Sequence, residues 1–151
     1  MIVKCVRKYP TADDVRFLGP RFLKERAFHV TPGKEYIVFG LSIGIDDESA
    51  NCKGLWIEYL TDFEYLISAP ICLFEFVERT PSTHWELRVR KNGSVDLWPS
   101  SFYREYFFED LSEGVPEVVA DFKPVRKIIE AEAIQRQRIG QQKLESSKLV
   151  S

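Results

Sequence analysis

Asn92-Gly93 lies between two alternating apolar runs, and no other stretch narrows the fold as much. Before it, Trp85, Leu87 and Val89 alternate with Glu86, Arg88 and Arg90; after it, Val95 and Leu97 alternate with Ser94, Asp96 and Trp98. A period of two marks a half-buried strand. Asn-Gly usually suggests a two-residue turn. Here that turn would pair Val89 with Asp96 and Arg88 with Leu97, mixing apolar and charged side chains on both faces. A loop of Lys91, Asn92 and Gly93 instead pairs Val89 with Val95, Leu87 with Leu97 and Arg88 with Asp96. One face becomes apolar, and the other gains an opposite-charge pair worth ~0.2–1 kcal/mol. A slip by one residue would turn every side chain to the wrong face. The sequence therefore predicts a type I turn with Gly93 left-handed in a G1 bulge.

Pro99 has no N–H for the ladder and should end the second strand. Ser100 or Ser101 suits the cap of a following helix. On that helix Phe102 and Tyr106, then Tyr103 and Phe107, stand at i, i+4 and share one stripe, with Gly114 as the C-terminal stop. Seven of the 20 aromatic residues fall between His84 and Asp110. Such density suits a ligand cage or a stacking surface. Helical spacing and the scarcity of interleaved cations favour core.

Elsewhere, Ile2 to Val6 reads as a first strand, and Tyr9 to Arg26 as a turn with a short helix or an extended loop. Thr31-Pro-Gly-Lys34 has the Pro and Gly placement of a type II turn. Glu35 to Ile43 follows as a strand with Ile37, Phe39, Leu41 and Ile43 on one face, and Gly40 and Gly44 suggest sharp bending. Ile45 to Lys53 is a polar connection. Leu55 to Leu60, Tyr65 to Ser68 and Ile71 to Val77 are further strands, with turns at Asp62-Phe63 and a break at Ala69-Pro70. Short strands at this spacing fit an antiparallel sheet or barrel. Pro116 suits a first helical position, with one short helix over Glu117 to Phe122. Pro124 should start another, striped by Val125, Ile128, Ile129 and Ala133, which fades after Ile134. The expectation is an α+β fold: a bent antiparallel sheet or SH3-like, partly open barrel with C-terminal helices packed on it. Residues 1–139 should form one domain and residues 140–151 a flexible tail.

Charge is strongly partitioned. Residues 1–34 carry eight Lys/Arg against three Asp/Glu, residues 35–122 six against seventeen, and residues 123–151 seven against three. An acidic centre of net −11 is the reverse of what phosphate binding requires, which argues against a nucleic-acid partner. It suits steering of a basic protein. Cys5, Cys52 and Cys72 form neither a CxxC nor a Cys/His cluster, so no disulfide framework or zinc site is expected and a reducing compartment, the cytoplasm, is. MIVKCVRKYP offers no signal-peptide core, and uncharged runs such as Tyr65 to Phe74 stop at ten residues, too few to span a bilayer. His29 and His84 lie in no ligand spacing, and no nucleophile, phosphate-loop or dinucleotide motif occurs. No catalytic residue, metal or cofactor is therefore expected. Asp46-Asp47-Glu48 lacks the spacing of an EF-hand loop. Glu58, Asp62 and Glu64 form a second acidic group near a strand end. The cations between Arg126 and Lys143 are interrupted by Glu130 and Glu132 and read as a solvated helix face.

Thr31-Pro-Gly-Lys-Glu-Tyr-Ile-Val-Phe-Gly40, followed by Pro70-x-x-x-Phe74-Glu75, resembles the first and last strands of small SH3-like barrels in bacterial and phage proteins. With its compact size, acidic centre and lack of catalytic motifs, the chain is also similar in type to immunity proteins of bacterial polymorphic toxin systems. That resemblance implies a non-enzymatic binding protein that occludes the basic active site of one cognate toxin in the cytoplasm. From the charge pattern, Asp46, Asp47, Glu48, Asp62 and Glu64 are the expected partner-binding residues. A second reading is a nucleic-acid-associated or regulatory barrel using the basic termini. A third is a small hydrolase whose carboxylates, Glu58, Asp62 and Glu64, meet in a cleft. Nothing in the sequence sets the oligomeric state.

Overall fold

The computed structural model describes residues 1–19, 27–45 and 53–149. In chain order these form β1 (Ile2–Cys5), α1 (Ala12–Leu18), β2 (Glu35–Gly44), β3 (Gly54–Leu60), β4 (Leu66–Pro70), β5 (Phe74–Glu78), β6 (Trp85–Val89), β7 (Val95–Pro99), α2 (Phe107–Ser112) and α3 (Pro116–Leu149). The seven strands make one antiparallel sheet, ordered β4-β3-β2-β1-β5, with the hairpin β6-β7 joined through β7 to the second half of β2. The sheet is bent and not closed into a barrel. The fold is α+β, with an open sheet and a long C-terminal helix.

The hairpin has the expected register: Val89 opposes Val95, Arg88 opposes Asp96 and Leu87 opposes Leu97. Arg90 N–H donates to the Ser94 carbonyl at 2.8 Å, and Gly93 N–H to the Arg90 carbonyl at 2.9 Å, with Gly93 at φ +86°. Two expectations fail within it. The charged partner of Asp96 is the diagonal Arg90, not the directly opposed Arg88. The apolar face is also not covered on β6, where Leu87 and Val89 are 61% and 63% exposed.

β2 does not keep all four of its apolar side chains on one face. Val38 opposes Tyr59 but Gly40 opposes Glu58, so Phe39 is an extra, bulged residue. Alternation restarts after it. Ile37 and Phe39 join the core beneath α2 and α3, while Leu41 joins the core on the opposite face. Gly40 makes this bend workable, because a Cβ there would sit 2.6 Å from Trp98 Cδ1 and 3.3 Å from Glu58 Cγ. The first core gathers Val3, Phe28, Val38, Ile57, Tyr59 and Leu73. The second gathers Phe39, Phe102, Phe107, Val118, Phe122 and Ile129. Each such side chain contributes about 1.5–3 kcal/mol when fully buried.

The single aromatic helix expected after Pro99 is broken into a 3-10 turn, Ser100–Tyr103, and α2. Arg104 is extended and Tyr106 left-handed, at φ +59°. The break lets Phe102 and Phe107 stack at 4.6 Å in one core. On a continuous helix, residues five apart would point roughly 140° away from each other. Gly114, at φ +73°, ends α2 as expected, with its N–H on the Leu111 carbonyl at 3.1 Å.

Beyond it the two expected helices are one. Pro116 opens α3, but Pro124 lies inside it. An internal proline costs about 3 kcal/mol. Val118, Phe122, Ile129 and Ala133, all buried on one stripe, offset that cost across the proline. The helix continues past Gly140 to Leu149. The strand expected from Ile71 starts later, at Phe74, after a 3-10 turn over Ile71–Leu73.

The contrast between two glycines tests this account. Gly40→Ala should lower stability by about 1–3 kcal/mol, because it overfills a closed site. Gly140→Ala meets open space and should be neutral or stabilising by up to about 1 kcal/mol. Urea denaturation of both variants measures this, and equal effects would contradict the close approach of Trp98.

Candidate functional site: an arginine-aromatic groove above a buried acid cluster

The hairpin, the 3-10 turn and α2 border an open groove of about 390 Å³. Trp98, Phe102 and Phe108 line its apolar part, and Arg88, Arg90 and Arg104 its cationic part. Trp98 is fixed by Nε1–H donating to Ser42 Oγ at 3.1 Å. Tyr103 packs against it at 5.2 Å, tilted by 32°, and donates its hydroxyl to the Glu86 carbonyl at 2.7 Å or the Asp96 carbonyl at 3.0 Å. The Arg88 guanidinium lies over Tyr103 at 3.9 Å, and that of Arg90 over Trp98 at 5.5 Å. The order Arg88, Tyr103, Trp98, Arg90 is therefore a layered pile of cations on rings, each contact worth ~0.5–2 kcal/mol.

Beneath this pile lie two buried carboxyl groups. Asp96 is 3% exposed and takes both a 2.6 Å bond from Arg90 Nε and a 3.0 Å bond from Nη2. This two-pronged pairing keeps a buried aspartate charge satisfied. Glu58 is 1% exposed, lies over Gly40, and shares the Ser68 hydroxyl at 2.6 Å from either oxygen. Burial pushes the Glu58 carboxyl up to about 7, against the Ser68 hydrogen bond; the Asp96 charge raises it further and Arg90 lowers it. Asp96 borders the groove and Glu58 does not. Glu58 is thus a buried carboxyl inside the sheet, held by Ser68 and set back from the groove lining.

The carboxylates expected from sequence fall elsewhere. Asp46, Asp47 and Glu48 lie outside the described residues. Asp62 and Glu64 share the β3–β4 turn, and both have intramolecular partners. Asp62 accepts from Lys34 Nζ at 2.5 Å, Thr31 Oγ1 at 2.7 Å and the Tyr36 hydroxyl at 2.9 Å. The Lys34 bond holds its carboxyl below the usual range. Glu64 pairs with Arg126 Nη1 at 2.6 Å. Glu58 does not meet them in a cleft. It faces Ser68 on the side of the sheet opposite Tyr36, to which Asp62 is bonded. Among the described residues, no group of three or more His, Cys, Asp or Glu is placed to hold a metal ion, and no helix is long and apolar enough to cross a membrane.

Sequence reasoning missed the groove because it counted few cations among the aromatics. Arg88 and Arg90 precede the aromatic run and reach it only through the hairpin. The correct register, with Trp98 opposite Glu86, already carried that signal. No protein-family profile matches the chain, and no curated protein or solved structure is significantly similar to it.

The raised Glu58 acidity predicts a pH effect with a definite sign. The native carboxyl keeps its proton to about pH 7, whereas an unfolded glutamate loses it near 4.5. The stability contributed by this group is full below that lower value, falls as pH rises between the two, and then levels off. Glu58→Gln should therefore gain Tm relative to the parent at about pH 8 and gain little at about pH 5. Calorimetric scans at both pH values check this; a constant difference would rule it out.

Proposed function

We propose that the protein is a non-enzymatic binding module that neutralises a basic protein partner by occlusion, in the manner of a bacterial immunity protein acting on its toxin. The observation that carries this reading is an acidic ridge on α2 and the start of α3. Glu105, Glu109, Asp110, Glu113, Glu117 and Asp121 follow one another with no Lys or Arg between residues 105 and 121. All but Asp110 are exposed. Their nearest cation, Arg104, stands 3.8 Å from Glu117 and 3.9 Å from Asp121. Unlike Asp62 and Glu64, these side chains have charge to spare for a partner, and a one-sign surface accelerates encounter with a basic protein. The basic C-terminal helix supports a nucleic-acid role less well. Arg126 is held by Glu64 and Glu130, and Arg136 by Glu132 and the carbonyls of Thr80 and Pro81.

Identifying the proteins encoded beside this one and co-expressing it with any basic toxin domain among them provides the test. A complex should form, weaken as salt rises, and lose about tenfold or more in affinity when Glu109, Glu113, Glu117 and Asp121 are changed to amides. Loss on changing Asp46, Asp47 and Glu48 instead would move the interface to the β2–β3 connection. Failure to form any complex would sink the reading.

A further inference from the structure

We propose that the groove between the hairpin and α2 binds a small aromatic anion: a flat ring system bearing one carboxylate or phosphate. This goes beyond the ridge reading and does not depend on it. A volume of about 390 Å³ suits a ligand of one or two rings. Trp98 and Phe108, both half-buried, and the exposed Tyr106 offer apolar surface to the ring. Arg90 is neutralised by Asp96. Arg88 and Arg104 are different. They are 52% and 43% exposed, and their ion pairs are long, 3.3 Å to Glu86 and 3.8 and 3.9 Å to Glu117 and Asp121. Charge-assisted bonds at full strength are about 2.7–2.9 Å, so both guanidinium groups retain donors for an incoming anion. Arg88 is also held flat against Tyr103, which orients its fork before anything binds.

Tyr106 adds exposed aromatic surface to the groove. A left-handed tyrosine costs about 1–2 kcal/mol. The chain accepts this cost at a residue that lines the groove and leaves its ring 65% exposed. The same break that stacks Phe102 on Phe107 in the core thus also presents the Tyr106 ring at the rim of the groove. The surroundings set the size limit. Glu105, Glu109 and Asp110 are close in sequence to the lining residues Arg104 and Phe108, and their charge opposes a polyanion while leaving one anionic group to the two arginines. Glu109 itself lines the groove and disfavours a second anionic group.

Calorimetric titration with 5′-AMP and indole-3-acetate, alongside adenosine, indole and a short single-stranded DNA, tests the site. At least one of the two anions should bind about tenfold or more tightly than its uncharged parent, and which one binds identifies the headgroup. Arg88→Met combined with Arg104→Met should remove about tenfold or more of that affinity while the variant still unfolds in one cooperative transition. Tyr106→Gly should weaken binding while holding or raising Tm, since it relieves the backbone. The proposal is overturned if neither anion binds at millimolar concentration, if the uncharged parents bind equally well, if the DNA binds best, or if the double variant binds like the parent.

Discussion

The bulge that puts Phe39 and Gly40 on the same face of β2 decides where every other element goes. Before it, β2 is shared by β1 and β3; after it, by β3 and β7. One strand thereby serves two half-sheets with different neighbours. The extra residue lets the strand bend, and the bare Cα at Gly40 opens a slot that Trp98 and Glu58 fill from opposite sides. Trp98, packed against that slot, also lines the groove. A side chain at this one position would disturb the sheet, the acid cluster and the groove together.

Charge in this molecule is divided between groups that hold the fold and groups left to solvent. Asp62 ties the β3–β4 turn to the Thr31–Lys34 turn, and Glu132 bonds both Arg136 and Thr83, fastening α3 to the connection before β6. These carboxylates are fully engaged within the chain. The ridge from Glu105 to Asp121 is not, and its mutual repulsion is a modest burden that the aromatic core beneath it outweighs. A formal charge count cannot distinguish the two groups, since both add the same −1 to the total.

Much of the sheet was legible in the sequence because its turns use the residues their geometry requires. Lys91-Asn92-Gly93 and Thr31-Pro-Gly-Lys34 both form as the residue types dictate. The turn at Asp62-Phe63-Glu64 has the same three-residue geometry as the first of these. Thr61 N–H reaches the Tyr65 carbonyl at 2.8 Å, and Glu64 takes the left-handed place at φ +66°. No glycine announces it, and the strain is held by a tertiary contact, Arg126, far away in the chain. The two helices after Pro99 and the uninterrupted α3 were illegible for the same reason. Demands of the distant core overrode local breakers and local formers alike. The groove lay further out of reach, since it depends on which residues the bent sheet brings beside one another.

Among the described residues β6 is an edge strand, paired only with β7, and it carries Leu87 and Val89 outward. Its free rim of N–H and C=O groups stands next to an apolar strip, the combination that lets one sheet continue into another. Glu86 and Arg88, on the opposite face, are the charged brakes on such growth. When the chain is concentrated, this rim is where order would begin to extend from molecule to molecule, so the shelf life of a solution depends on an edge that contributes nothing to the core.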